Sequence, residues 1–459
     1  MGSMRKELKM DSKIVNSVKD SNNGTEFTKL LSSFVSDFIE TYNTAQNNFF
    51  PNGMPRRMQL FSLIMQLFLR GGKRWTDTVE AFLNDNEVKN VFKYDGATDI
   101  DAVVFGSQTC IVDNSGSGGT QQPISIITNI FLCAVDLSVL DTGVINKDNI
   151  TSNIPRAFER FKSFARGEST KEEYLVGFAG FETDGDISIG FGDLNAFSLN
   201  DLQSNYFFGN RQKIGFVIKK IFSRRKLFVG TPDEMRHFFD TNKSLEIDNG
   251  FIPETNSLIR NVRLALALSL SNEGGLFSSF VEGDYLITAT GNMNSFMWFE
   301  RNNPKKNTTI KLTSIYANKI SMKYLSLVSS NLESINIALS RLLSATCSRD
   351  NLDDALIDAV MCWENIIGSG SEVSFRTCAS MAKLLSSDKG ERSRIFGELK
   401  KIYDSRSKLV HGDNSYKTNS ETVNSAILYA IKLINAMLLN ETLLDTESKN
   451  RGRLILLEG

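Results

Sequence analysis

The sequence predicts an α+β protein, with an N-terminal part that mixes helices and strands and a C-terminal part that is an all-α helical bundle. Three observations carry this. Short β-branched or aromatic runs, separated by turn signals, fill the middle of the chain. From Met322 onward the apolar residues recur at helical spacing only. The 459 residues, 41% hydrophobic and 23% charged, exceed what one ordinary core holds.

Residues 1–25 are polar and read as a disordered tail. Phe27, Leu30, Leu31, Phe34, Phe38 and Ile39 then mark an amphipathic helix, which the proline-containing segment 47–55 ends. Leu60, Phe61, Ile64, Leu67 and Phe68 place a second helix over Arg57–Leu69, followed by a basic loop, Arg70–Trp75. From about Val88 the pattern predicts strands at Ala102–Phe105, Cys110–Val112, Ile124–Val135, Ile187–Phe191, Lys213–Val229, Tyr285–Thr290, Met297–Glu300 and Thr308–Leu312. Helices are expected between them at Ile154–Ala165, Pro232–Phe239 and Ser257–Leu270. Residues 26–315 therefore read as an α+β domain with a mostly antiparallel sheet, divisible into a helical part, 26–87, and a β-rich part, 88–315.

The C-terminal region opens with Leu325, Val328, Leu332, Ile335, Leu339, Leu342 and Leu343 along one stripe of Met322–Cys347. Asp353 and Asp354 suit the start of a helix through Trp363, and Gly368–Gly370 breaks it. Phe375–Leu385, Arg392–Val410 and Val423–Leu439 complete a bundle of five helices over residues 322–445.

Composition excludes several classes. Lys plus Arg (52) nearly cancels Asp plus Glu (53), so net charge gives no argument for a nucleic-acid partner. The five cysteines are scattered and never form C-x-x-C, as expected for reduced thiols packed in cores. Two distant histidines leave no zinc-ligand spacing, and no cofactor or metal is expected. Neither an apolar run of about 18 residues nor a leader-like N-terminus is legible, so no membrane partner is expected and a cytoplasmic location is.

One stretch carries chemistry: Tyr403 to Asp413, with Arg406 five positions before His411 and Gly412 directly after it. Cleavage of RNA by 2′-OH attack needs a proton acceptor, a proton donor for the leaving 5′-oxygen and positive charge on the phosphate. Histidine titrates near neutrality and serves either proton role. Arginine offers a permanently charged fork for phosphate oxygens. Five residues at about 100° each put the two roughly 140° apart around a helix, so one copy converges poorly on one phosphate. Either the helix frays at His411, with Gly412 as its cap, or a second subunit supplies part of the site.

Three blocks, Asp354–Glu364 (DALIDAVMCWE), Phe375–Leu385 (FRTCASMAKLL) and Tyr403–Gly412 (YDSRSKLVHG), together resemble the Apea-like branch of the HEPN domains. The resemblance covers about residues 322–442 and departs from the pattern at Ser380, where a second arginine is common. It implies a HEPN bundle acting as a metal-independent ribonuclease, an anti-phage defence effector or toxin working as a homodimer on an RNA substrate. It also implies that Arg406 and His411 are catalytic, and that a phage- or invader-derived trigger or partner protein acts through the N-terminal region. A non-catalytic bundle used for dimerisation or RNA binding fits the same blocks. Glu364 is a bundle residue paired with an arginine or a carboxylate that orients Arg406. Tyr403 lines the cleft or packs, and Arg376 pairs with Glu364 or touches RNA.

Elsewhere, Lys219, Lys220, Arg224, Arg225 and Lys226 form the strongest basic cluster, with Phe216, Phe222 and Phe228 interleaved. They fit a nucleic-acid track with stacking aromatics or two ordinary amphipathic strands around a turn. Arg70–Trp75 carries the same two readings. Asp99 and Asp101 beside Gly106-Ser107 have the reverse order of a nucleotidyltransferase pair. Asn114–Thr120 lacks the lysine of a P-loop and reads as a turn, and His237 reads as a packed helix residue.

Overall fold

The computed structural model describes residues 25–459, apart from 46–55, 95–103, 105–108, 115–117, 184–187, 192–193, 210–213, 243–250, 270–279, 291–309, 350, 369–371, 413–416 and 459. Five helices come first: α1 (Glu26–Ser32), α2 (Val35–Ala45), α3 (Arg56–Leu69), α4 (Lys73–Leu83) and α5 (Asn86–Phe92). Then follow β1 (Thr109–Asp113), β2 (Gly118–Gln121), α6 (Pro123–Thr142), α7 (Lys147–Arg166), β3 (Thr170–Ala179), β4 (Phe181–Thr183), β5 (Ser188–Phe191) and β6 (Leu194–Phe197). Next are α8 (Asp201–Phe208), β7 (Ile214–Arg224), β8 (Lys226–Gly230), α9 (Pro232–Thr241), α10 (Phe251–Ser269), β9 (Phe280–Ile287) and β10 (Ile310–Leu312). The remainder is helical: α11 (Ser314–Ser329), α12 (Asn336–Leu343), α13 (Leu352–Ile367), α14 (Val373–Leu385), α15 (Lys389–Val410), α16 (Ser420–Leu438), α17 (Glu441–Asp445) and α18 (Ser448–Glu458). The α+β class holds.

The chain forms two compact units that interleave in sequence. One takes residues 1–173, 221–248 and 286–296; the other takes 174–220, 249–285 and 297–459. The expected linear division near residue 315 is thus not where the compact units separate, because strand pairing recruits segments far apart in the chain.

In the first unit the phenylalanine excess fills the core. Phe27 packs 4.6 Å from Phe158 and 5.1 Å from Phe82, and Phe131 meets Phe38 and Phe68 edge-on. The helix expected from Phe27 to Ile39 is two, broken at Ser33-Phe34, with the Thr25 hydroxyl accepting from the Thr28 N–H at the first N-terminus. The basic stretch Arg70–Trp75 is not a loop throughout, since α4 starts at Lys73. Trp75 lies buried, stacked 4.9 Å from Phe68.

The largest departure is Ile124–Val135, expected as strand and found inside α6. Almost every side chain of this helix is buried, so its apolar residues show no periodicity that would separate helix from strand. Pro123 at its start and left-handed Gly143 at its end were the legible signals. Joined into one helix of 20 residues, this stretch is long and apolar enough to cross a membrane, contrary to expectation, but 89% of its most apolar window is buried within the protein.

Strands β2, β1 and β8 form an antiparallel sheet in that order. A five-stranded sheet runs β5-β6-β7-β3-β9, antiparallel at β5-β6 and β6-β7, while β10 pairs parallel with β4. Strands expected at Cys110, Ile187, Lys213, Tyr285 and Thr308 are found, with shifted ends; those at Ala102–Phe105 and Met297–Glu300 fall outside the described residues or nearly so. The expected tail, 1–24, also lies outside them.

In the second unit α13 is the central helix, with α12, α14, α15, α16 and α18 packed around it. Trp363, fully buried, meets Tyr429 edge-on. The stripe read as one helix over 322–347 is broken between Ser329 and Glu333, and α11 packs on α10. The expected boundary at 445 omits α18, which buries Arg451 completely. Its guanidinium donates to the carbonyls of Leu443 at 2.7 Å and Ile366 at 3.1 Å, so a cation holds two helix C-terminal ends.

Gly368 closes α13 at φ +95°, and a Cβ there would lie 2.1 Å from the Ser448 carbonyl oxygen. Gly368→Ala therefore combines left-handed strain with overpacking, an expected loss of roughly 2–4 kcal/mol. Thermal unfolding of the purified variant checks this; an unchanged midpoint would show that α18 shifts at no cost.

Candidate active site

Arg406, His411, Glu364 and Tyr403 all belong to the second unit, three of them on or at the end of α15 and Glu364 on α13. Asp388 starts α15, its side chain accepting from the Glu391 N–H at 2.7 Å. Ile395, Leu399, Ile402 and Tyr403 bury one face of the helix. Arg406 continues that face one turn beyond Ile402 and Tyr403, half-buried, and His411 stands exposed at the end.

The helix ends where the sequence suggested. His411 is the C-cap residue (φ −84°, ψ 1°), and Gly412 turns the chain at φ +74°. The His411 N–H still donates to Ser407 O at 3.0 Å, which keeps its backbone on the helical track. Its Cα therefore remains roughly 140° around the axis from that of Arg406. The helix closes at His411 without redirecting it toward Arg406.

Glu364 is the anchor of the cluster. One carboxylate oxygen lies 3.5 Å from the Arg406 guanidinium, and the other accepts a short hydrogen bond from the Tyr403 hydroxyl. Both charged side chains are 21% exposed, enough to stay hydrated yet screened less than a surface pair. Arg406 also lies 5.9 Å from the Tyr403 ring centroid, and its Nε is buried without a hydrogen-bond partner. Burial, then the Glu364 hydrogen bond and charge, push the Tyr403 phenol well above its ordinary range. The phenol therefore stays protonated near neutrality and acts as a donor to Glu364.

These contacts decide between the sequence readings. Glu364 takes Arg406, not Arg376, as its arginine. Tyr403 both packs and positions, through Glu364. Arg376 is half-exposed on α14 and makes no ion pair among the described residues. Ser380, the departure from the family pattern, is buried with its hydroxyl donating to Gly452 O at 3.3 Å. The approach of α18 leaves no volume for an arginine there.

The structure places the members of the basic cluster differently from one another. Arg224 is buried, its Nε 2.9 Å from Asp113 and an Nη 2.6 Å from Glu172. Lys226 donates to the Ala165 carbonyl, and Lys220 pairs with Glu254 at 2.6 Å. Phe216 stacks 4.9 Å from Phe178 and Phe228 packs 5.0 Å from Phe238. Only Lys219, half-exposed, and Arg225, exposed, keep the position expected of a backbone contact. Alternation of charge and apolarity in a β-ribbon is thus packing here, with its central arginine serving a buried ion network. Arg74 likewise pairs with Asp37 at 2.5 Å and lies 4.0 Å over the Phe34 ring.

Asp99, Asp101, Gly106 and Ser107 lie outside the described residues. Asn114 accepts from the Arg225 N–H at 3.0 Å; of the turn expected at Asn114–Thr120, residues 115–117 lie outside the described residues and Gly118–Thr120 belong to β2. His237 lies on a helix, α9, as expected, but is exposed rather than packed. Among the described residues no group of three metal-ligating side chains occurs.

Sequence reading passed over Phe375, whose ring is exposed on α14 and packs edge-on against Phe396 of α15 at 5.7 Å. The signal was present: an aromatic next to an arginine in the first turn of a helix. Compared with protein-family models, curated proteins and solved structures, the chain matches none.

Proposed function

We propose that the protein is a metal-independent RNA endonuclease, with Arg406 binding the scissile phosphate and His411 moving the proton. The observation that supports this most is a positioned arginine, held by Glu364 and Tyr403, followed five residues later by a solvent-exposed histidine at a helix end. The reaction is transesterification: the 2′-oxygen attacks the adjacent phosphorus, its proton is taken up, and the P–O5′ bond breaks. The leaving 5′-oxygen takes a proton, giving a 2′,3′-cyclic phosphate and a 5′-hydroxyl. Arg406 neutralises charge on the non-bridging oxygens as it builds up. Because Arg406 and His411 diverge around α15, the site is completed by a second copy of the chain. An anti-phage or toxin role, with an invader-derived trigger acting through the N-terminal region, follows from the same reading.

A second reading is favoured by one fact: Arg406 already has a carboxylate partner. In it the bundle is a non-catalytic RNA-binding or dimerisation module. The two separate on RNA incubated with the protein in EDTA. The nuclease leaves products ending in a 2′,3′-cyclic phosphate, and mixing inactive Arg406→Ala with inactive His411→Ala restores part of the activity through hybrid dimers. Metal-dependent cleavage, or products with 3′-hydroxyl ends, would end the proposal.

A further inference from the structure

Among the residues whose burial is described, Phe375 is the only phenylalanine, tyrosine or tryptophan in the fully exposed class, at 55%. It does not stand alone. Its edge-on neighbour Phe396 supports it from α15. One turn further along α15, the Lys400 ammonium lies 3.0 Å from the hydroxyl of Ser374, the residue before Phe375, and 3.1 Å from Asp404. Arg376, the residue after it, has no ion-pair partner among the described residues.

The helix carries this feature toward the candidate catalytic pair. At about 100° per residue, Phe396, Lys400, Tyr403 and Ser407 fall within roughly 60° of one another around α15, and Arg406 and His411 flank that stripe on its two sides. The rise from Phe396 to Arg406 is about 15 Å, on the order of a few nucleotides of single strand.

An exposed ring beside cations, leading to a phosphate-binding arginine, is the chemistry by which proteins hold single-stranded nucleic acid. We propose that Phe375 is a base-stacking subsite for single-stranded RNA, with Arg376 and Lys400 contacting its backbone, placed a few nucleotides from the bond cut at Arg406 and His411. This rests on the nuclease reading for the position of the cut, but the stacking itself does not depend on catalysis.

The test is equilibrium binding of the full chain to a fluorescein-labelled 2′-O-methyl oligouridine, which cannot be cleaved by 2′-OH attack. Phe375→Leu is expected to weaken binding roughly tenfold or more, and Phe375→Trp to retain it. Lys400→Gln weakens it less, and Arg236→Gln, at an exposed position on α9 outside the proposed site, leaves it unchanged. Equal affinity of Phe375→Leu and wild type overturns the subsite, even if the protein cleaves RNA. Loss of binding that accompanies a fall in native mass also overturns it, because the ring would then be a subunit contact. Phe375-dependent binding by a wild-type protein that never cleaves supports the subsite and removes the nuclease reading alone.

Discussion

His411→Ala is expected to lower the rate of RNA cleavage in EDTA by about 10²–10⁴-fold, the usual contribution of a positioned acid or base. The same substitution is expected to leave stability nearly unchanged. His411 is exposed, and its backbone N–H bond to Ser407 survives the substitution. Arg406→Ala differs in kind, because it also leaves Glu364 and Tyr403 facing each other without a cation. A loss of activity in Arg406→Ala is therefore interpretable only beside its thermal midpoint, whereas His411→Ala reports on chemistry directly. Cleavage that survives His411→Ala at the wild-type rate would remove the proposed site, whatever else the protein does.

The second large effect is on stability. Arg224→Met is expected to destabilise the first unit by about 3–5 kcal/mol, since it leaves two buried carboxylates without their cation. Burial works against the Arg224 charge, but Glu172 and Asp113 more than offset this and raise its pKa above the ordinary range. Glu172 is held further by the hydroxyls of Thr288 and Thr290. Adding Asp113→Asn and Glu172→Gln to Arg224→Met should recover most of the loss, because the remaining groups are neutral. Chemical denaturation of the single and triple variants measures both. Were Arg224→Met as stable as wild type and merely weaker in binding RNA, the arginine would be a nucleic-acid contact after all.

Glu364 and Tyr403 show how much of the candidate site was legible. Their membership was readable from three blocks in order, and the Gly412 cap from one glycine after one histidine. The arginine that Glu364 selects was not readable, since Arg376 and Arg406 were both within reach of the blocks. That choice depends on how α13 and α15 pack against each other. Phe375 was invisible for the same reason: the sequence has 32 phenylalanines, and only packing says which of the described ones stay exposed.

The fold divides along similar lines. Amphipathic helices in the bundle were legible because one face of each meets solvent, which leaves a period in the sequence, and strands such as β7 because their β-branched and aromatic residues run together. Helix α6 was not, because complete burial erases that period. The basic ribbon misled for the opposite reason. Its charges cluster between aromatic residues as they would on a nucleic-acid surface, yet Arg224 is drawn inside by Asp113 and Glu172, which lie 111 and 52 residues away in the chain.

By itself, then, the sequence determined the helical C-terminal elements, the end of α15 and the residue types able to move a proton and bind a phosphate. Only the tertiary structure decided which arginine Glu364 pairs with and which is buried, which ring is exposed and which segments share a unit. Local periodicity records whether a side chain faces water, whereas ion-pair partners and strand neighbours are chosen across long separations that no local pattern encodes.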